Sequence, residues 1–446
     1  MLRIFRLLLV LLLTAIGSSR AMAAAPRWND PAINDRIQAG IEAHRKGDGT
    51  ITVVDAAGKP LSGVRVEIEQ TRHEFLFGCN AFVLGQLKTA ADNGRYEAAF
   101  VRLFNFATIP FYWEATEPNR GELRYPEGSR DIWRRPPPDR FLPWAAKYDI
   151  TLKGHPLLWH AYNPAWLPKD ADALRDLYRK RFREIAARYG EKVAIWEVVN
   201  ESQVCNKAYP LYSPDRAYVA WAFGEAGPLF PQSCRLLIND VTTYNFKPAG
   251  QNPYLAQVQS LLAQGARVQG VGLQYHFFRR AELDAFLKGP NNDPGKLLDL
   301  YDAFGKLGLP LYITEITIPS AGPSGEANQA EVVRNQYRLW FSAAAMAGIT
   351  WWNLGDGTAV KGENEAQGGL LDEALQPKMA YRVLEDLINH QWKTRLKTET
   401  DAEGRAAFRG FFGKYQVKLV RGDRVRALEI DHTRSGAKSY RLSFPK

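Results

Sequence analysis

Residues 174–201 read LRDLYRKRFREIAARYGEKVAIWEVVNE. Two periods follow one another here. Leu174, Leu177, Tyr178, Phe182, Ile185 and Tyr189 recur at the three- and four-residue spacing of one helix face, and Gly190 is a helix stop. Residues 193–200 then form a short apolar run of strand length. A long amphipathic helix feeding a buried strand is the repeating unit of parallel α/β architecture.

The same texture extends on both sides. Apolar runs fall at 75–81, 107–112, 151–158, 193–200, 236–240, 270–276, 311–315 and 350–354. Their starts lie roughly 30–45 residues apart, the spacing of strand-plus-helix units. Val333, Tyr337, Trp340 and Phe341 mark another amphipathic helix before Gly348. Eight such units predict a (β/α)8 TIM barrel with insertions over residues 74–390. A doubly wound sheet is the competing fold, but no glycine-rich phosphate fingerprint follows the first run.

The two ends read differently. Residues 30–45 are helical in pattern. Residues 49–55 (GTITVVD) and 64–69 (VRVEIE) alternate about a turn containing Gly58 and Pro60, which predicts an antiparallel pair. The tail, 391–446, alternates again between turns at 401–404 (DAEG) and 421–423 (RGD). A lone hairpin is marginal in water. Segments 24–73 and 391–446 are therefore expected to form one small β-rich accessory module, the alternative being two separate caps. Laid end to end, they resemble a transthyretin-like β-sandwich split by the barrel.

Arg3 and Arg6 precede an apolar stretch at 7–16, followed by Ala21, Met22 and Ala23. That order predicts a signal peptide over residues 1–23. The stretch falls short of the ~20 residues needed to span a bilayer. The expectation is a secreted or periplasmic protein, free of the membrane after cleavage and monomeric.

Hydrophobic residues make up 46% and charged residues 24%, which excludes a mainly disordered chain. Three cysteines, Cys79, Cys205 and Cys234, cannot make a disulfide scaffold and lack metal-ligand spacing; they are expected to be buried. The formal charge is +10, but the basic residues are dispersed, so no nucleic-acid partner is implied. Their densest stretch, 175–188, also holds acids and reads as a solvated helix face. Twelve tryptophans exceed ordinary core needs and suit a site that stacks sugar rings.

In barrels of this kind, reacting groups project from the C-terminal strand ends. The fourth run ends in Asn200 and Glu201, and the seventh in Thr314 and Glu315. The third brings His155, Trp159 and His160, the sixth Gln274, Tyr275 and His276, and the eighth Trp351 and Trp352. Two carboxylates across a barrel mouth can protonate a glycosidic oxygen and attack or hydrate the sugar carbon. Aromatic rings offer faces to pyranoses, while amides and imidazoles bind hydroxyls. No HxxxH spacing or Asp-rich loop suggests a metal, and no cofactor is expected.

These segments resemble a known family. WEVVNE at 196–201 is similar to the acid/base motif of family 10 glycoside hydrolases, the endo-β-1,4-xylanases. GHPLLWH at 154–160, GLQYH at 272–276 and ITE at 313–315 resemble its strand-three, strand-six and nucleophile segments in the same order. The resemblance implies a retaining hydrolase of a β-linked polysaccharide or oligosaccharide. It implies Glu201 as acid/base and Glu315 as nucleophile, with Asn200 on the sugar 2-hydroxyl. It also implies that His155, Trp159, Gln274, His276 and Trp352 line the site. The alternatives are a related hydrolase of another β-glycan, or a binding protein without catalysis. The pattern departs from the family at 108–113 (TIPFYW), where a Glu-Asn pair and a Lys are missing. It departs again at Thr317, where an acid is usual, and at 356–359 (DGTA), which lacks a second Trp. Loss of the first set predicts a more apolar wall to the cleft.

Overall fold

The computed structural model describes residues 27–444. The predicted signal peptide lies outside the described residues. A helix, Pro31–Arg45, starts at Asp30, whose Oδ1 accepts the Ala32 amide at 2.9 Å and caps the helix N-terminus. Its Ile33, Ile37 and Ile41 repeat every four residues and bury against the helix Gly325–Ser342.

Strands β1 (Lys46–Val54) and β2 (Arg65–His73) follow, each with one buried face. They do not pair with each other as the sequence suggested. β1 lies in a three-stranded sheet and β2 in a four-stranded one. The reason is the buried side chains. Ile51 and Val53 of β1 face Val66 and Ile68 of β2 within one core, so the strands oppose each other across a sandwich rather than lying side by side. The connection turns at Asp55, whose Oδ1 accepts from the amides of Ala57 and Lys59 at 2.9 Å.

The barrel comes next. Its strands are β3 (Leu76–Asn80), β4 (Phe106–Pro110), β5 (Thr151–His155), β6 (Ile195–Asn200), β7 (Arg235–Asp240), β8 (Gly270–His276), β9 (Leu311–Thr317) and β10 (Met346–Trp351). All pair in parallel, and β10 closes on β3. Seven begin close to the apolar runs in the sequence. β10 begins at Met346, ahead of the run at 350–354, because Gly348 interrupts the apolar pattern where it passes Leu76 and Tyr312. In β5, a Cβ at Gly154 would lie 2.2 Å from the Trp196 ring, so only glycine lets that indole pack between the strands.

Between β5 and β6 runs the helix Ala171–Tyr189, which buries Leu174, Tyr178, Phe182, Ile185 and Tyr189 as its periodicity predicts. One correction concerns its basic face. Arg181 is 2% exposed and turns inward, donating to Thr116 Oγ1 at 2.8 Å and to the Phe111 carbonyl. It serves backbone and hydroxyl acceptors in the loop after β4.

The tail supplies β11 (Arg395–Glu399), β12 (Arg405–Phe411), β13 (Gly413–Arg421), β14 (Arg424–His432) and β15 (Ser439–Ser443). The sheet orders are β12-β1-β15 and β11-β2-β13-β14. The two ends of the chain thus build one module with its own core, including Ile51, Val66, Ile68, Phe408, Val417 and Leu419. The three cysteines are buried and unpaired. No helix among the described residues is long and apolar enough to cross a membrane.

Inside the barrel, Leu76, Phe106, Ile195, Leu237 and Tyr312, near the strand starts, form an apolar plug. Further along the barrel strands the buried residues become polar: Lys153, Glu197, Asn239 and Thr314. This gradient puts the chemistry at the C-terminal mouth.

Candidate active site

The mouth holds a cleft of about 770 Å³ lined by Glu201, Glu315, His155, Trp159, Gln274, His276 and Trp352. Seven of the eight residues that the resemblance assigned to the site therefore meet in one concavity. The eighth, Asn200, is buried behind Glu201. A larger groove, about 990 Å³, lies on the opposite face between barrel and β-module, and contains no such pair of carboxylates.

Glu201 stands just past β6 in the left-handed region, with φ 55°. That conformation is costly for a residue with a Cβ, and here the Glu201 amide is fixed by donating to the Asn239 carbonyl at 2.9 Å. The twist aims the carboxylate into the cleft. Trp159 Nε1 donates to its Oε2 at 3.1 Å, and Gln274 Nε2 to its Oε1 at 2.9 Å. The same Gln274 nitrogen lies 3.2 Å from Glu315 Oε1. One amide thus bridges both carboxylates and holds the two bridged oxygens within about 6 Å of each other, the close pairing on which a double displacement depends.

Glu315, on β9, is 5% exposed and crowded with donors. Asn239 Nδ2 reaches Oε1 at 2.8 Å, and His276 Nε2 shares a hydrogen bond with Oε2 at 3.2 Å. The other nitrogen of His276 meets Thr317 Oγ1 at 2.9 Å. A hydroxyl on one side and the Glu315 carboxylate on the other therefore orient this ring. Asn200 Oδ1 accepts from Asn239 Nδ2 at 2.9 Å, while its own buried Nδ2 has no protein partner. Burial foremost, and then the Glu315 charge, push the Glu201 carboxyl above the ordinary carboxylate range, against the Gln274 hydrogen bond. The two acids thus differ in their surroundings: one is raised, the other is saturated with donors.

His155 lies beneath them. Its Nδ1 and Glu197 Oε2 share a short hydrogen bond, and Lys153 Nζ donates to Glu197 Oε1. Burial would raise the Glu197 carboxyl, but the Lys153 ammonium and the His155 ring outweigh it and hold the group down at about 2. His155, Glu197 and Glu315 bring potential ligand atoms within 4.8 Å of one another. Lys153 already neutralises Glu197, and Asn239, Gln274 and His276 serve Glu315, so the cluster is wired as an ion-pair and hydrogen-bond network.

The aromatic wall is Phe82, Tyr112, Trp159 and Trp352, which touch edge to face or at a tilt. Trp113 and Trp340 are instead packed in the core, 4% and 1% exposed. Sequence reasoning missed Asn239, although it sits near the end of the fifth run, where the strand-end rule would have flagged it. It also missed Asp240, which burial pushes up to about 7 while it accepts from the Gln203 amide at 2.9 Å and Ser202 Oγ at 3.1 Å, directly behind Glu201. Lys153 and Glu197, in mid-run, carried no such signal.

Carboxylates paired in this way at the mouth of a parallel barrel place the chain among the barrel glycoside hydrolases. Residues 81–387 match the sequence model of Glycosyl hydrolase family 10, and the chain belongs to that family. It is 28% identical over 407 residues to the anti-sigma-I factor RsgI6 of Acetivibrio thermocellus, covering 88% of this chain and 47% of that protein. It is 26% identical over 329 residues to endo-1,4-beta-xylanase B of Thermotoga neapolitana, covering 68% of this chain and 86% of that protein. The chain thus spans less than half of the first relative and most of the second. Among solved structures, xylanase 10B of Thermotoga petrophila in complex with xylobiose shares the fold at a TM-score of 0.58 and 22% identity, over 71% of this chain and 95% of that one.

Proposed function

We propose that this protein is an exported glycoside hydrolase that cleaves β-1,4-linked plant polysaccharide or oligosaccharide, xylan-like in backbone, with retention of configuration. The observation that carries the reading is the pair Glu201 and Glu315 bridged by Gln274. Glu315, held by Asn239, Gln274 and His276, attacks the anomeric carbon as the glycosidic bond breaks. Glu201, protonated to unusually high pH by its burial, gives its proton to the departing oxygen. It then takes a proton from the water that releases the glycosyl group. The free Nδ2 of Asn200 is available to a sugar hydroxyl. The presence of both carboxylates weighs against a binding protein without catalysis. The leader-like order of residues 1–23 supports export, and the reading is of a monomer working without cofactor.

The test is proton NMR of the first product from an aryl β-xylobioside. Retention is expected, and an inverted first product would refute the scheme. Glu315→Ala should abolish turnover, with azide partly restoring it as the inverted glycosyl azide. Glu201→Ala should impair chiefly substrates with poor leaving groups.

A further inference from the structure

The wall at Tyr112 is not simply apolar. Arg134 and Arg135, on the long loop after β4, both line the cleft, and they are 4% and 8% exposed. Arg134 holds φ at 62°, which lets two consecutive side chains turn inward. Its amide donates to Gln86 Oε1 at 2.8 Å, and its Nη1 to Asn353 Oδ1 at 2.6 Å and to the Thr358 carbonyl. Its Nε is buried without a partner. Arg135 sits over Tyr112, with its guanidinium carbon 3.7 Å from the ring centroid. The one hydrogen bond of its side chain is from Nη1 to the Arg134 carbonyl at 3.0 Å.

Glu114 and Glu363 face this pair. Neither carboxylate comes within the 4.0 Å of an ion pair, and Glu363 accepts instead from Asn353 Nδ2 at 3.0 Å. Two adjacent cations are thus buried in a ligand cleft with carboxylates nearby but no direct ion pair, an expensive arrangement that an incoming anion would relieve. Contact with the Tyr112 face holds Arg135 in place and leaves the remaining donors of its fork for a planar acceptor. A carboxylate fits that fork in bidentate fashion.

We propose that the cleft is built for an acidic β-glycan, the carboxylate of a uronic acid unit seating on the Arg135 guanidinium with Arg134 behind it. This rests on the glycan-cleaving reading of the same cleft and names the substrate class. The uronic acid could belong to the main chain or to a branch, and the shared chemistry is the carboxylate.

The experiment is calorimetric binding to the full chain carrying Glu315→Gln, so that turnover does not interfere. One probe is xylobiose capped by β-1,4-linked glucuronic acid. The other is xylobiose branched with glucuronic acid at O2. Each is compared with its carboxyl-reduced counterpart. At least one acid should bind roughly ten- to a hundredfold more tightly than its reduced form, the range for a charge-assisted hydrogen-bond set, and which one does so identifies the source. Arg135→Gln should erase the preference, and Arg135→Lys should keep part of it. Equal affinity of both acids and their reduced forms for the Glu315→Gln protein overturns the proposal, whether or not the Arg135 variants fold. Should the preference hold while wild type cleaves no glycoside, the hydrolase reading fails and the acidic site stands.

Discussion

Replacing Lys153 by Met should destabilise the protein by about 3–5 kcal/mol, the cost of breaking a buried ion pair from one side. Lys153 and Glu197 are both 0% exposed, and Lys153 is the only full cation touching that carboxylate unless His155 is protonated. Methionine fills the space but leaves Glu197 to His155 alone, and burial then drives its carboxyl upward. The pH dependence gives an independent measure. Glu197 sits at about 2 in the folded protein against an ordinary 4.5. Because the folded value is depressed, its contribution is fully present above the unfolded pKa and is lost as pH falls through about 4.5 toward 2. The difference amounts to about 3 kcal/mol. The assay is urea unfolding followed by tryptophan fluorescence at pH 7 and again at pH 4, for wild type, Lys153→Met, Glu197→Gln and the double variant. The double variant should cost far less than the two singles together, because neither charge is left alone. Additive singles, or a Lys153→Met cost below about 1 kcal/mol, would refute the reasoning. Activity should follow: freed from Glu197, the His155 ring loses its orientation beneath the acids, and kcat/KM should fall in Glu197→Gln.

Three further outcomes follow from the geometry. Trp159→Phe keeps a ring but removes the donor to Glu201 Oε2, so the alkaline limb of the kcat/KM profile should move to higher pH, with a roughly tenfold or greater loss in the step where Glu201 acts as base. Thr317→Val removes the hydroxyl that holds His276 Nδ1, and should lower kcat more than it raises KM for an aryl β-xylobioside. Deletion of residues 391–444 strips β2 of both its partners and exposes Val66 and Ile68, so the truncated chain should aggregate on expression, as judged by size-exclusion chromatography.

The barrel was legible because its signal is local. Each helix face and each apolar strand run reports its own burial, so the eight units could be read one at a time. The accessory module was legible in part. The alternation in β1 and β2 gave two strands with one buried face each, but alternation does not say which strand lies beside which. That choice was made by residues far away in sequence: Phe408 and Ala406 beside β1, and Val417 and Leu419 beside β2. Glu201 and Glu315 were legible because a charge at the end of an apolar strand stands out. Glu197 stands out less, being one polar residue in the middle of an apolar run, and nothing nearby in sequence shows that Lys153 neutralises it from the adjacent strand.

The arginines show how far such reading can go. TIPFYW at 108–113 suggested that lost polar groups had left an apolar wall. Ile109 and Phe111 do bury in the core, both 0% exposed. Yet the surface of that wall is set by Arg135, supplied by a later loop and laid over Tyr112. In sequence, RR at 134–135 followed by PPP at 136–138 looks like a solvated turn. The left-handed backbone at Arg134, held by Gln86, is what reverses the sense of both side chains. A buried charge is set by its surroundings, and those are assembled here from Gln86, Tyr112, Asn353 and Thr358 on three different segments. The apolar run at 108–113 and the inward turn of the arginines therefore act together. Tyr112 offers the face of its ring, and the left-handed turn at Arg134 places the Arg135 guanidinium over it.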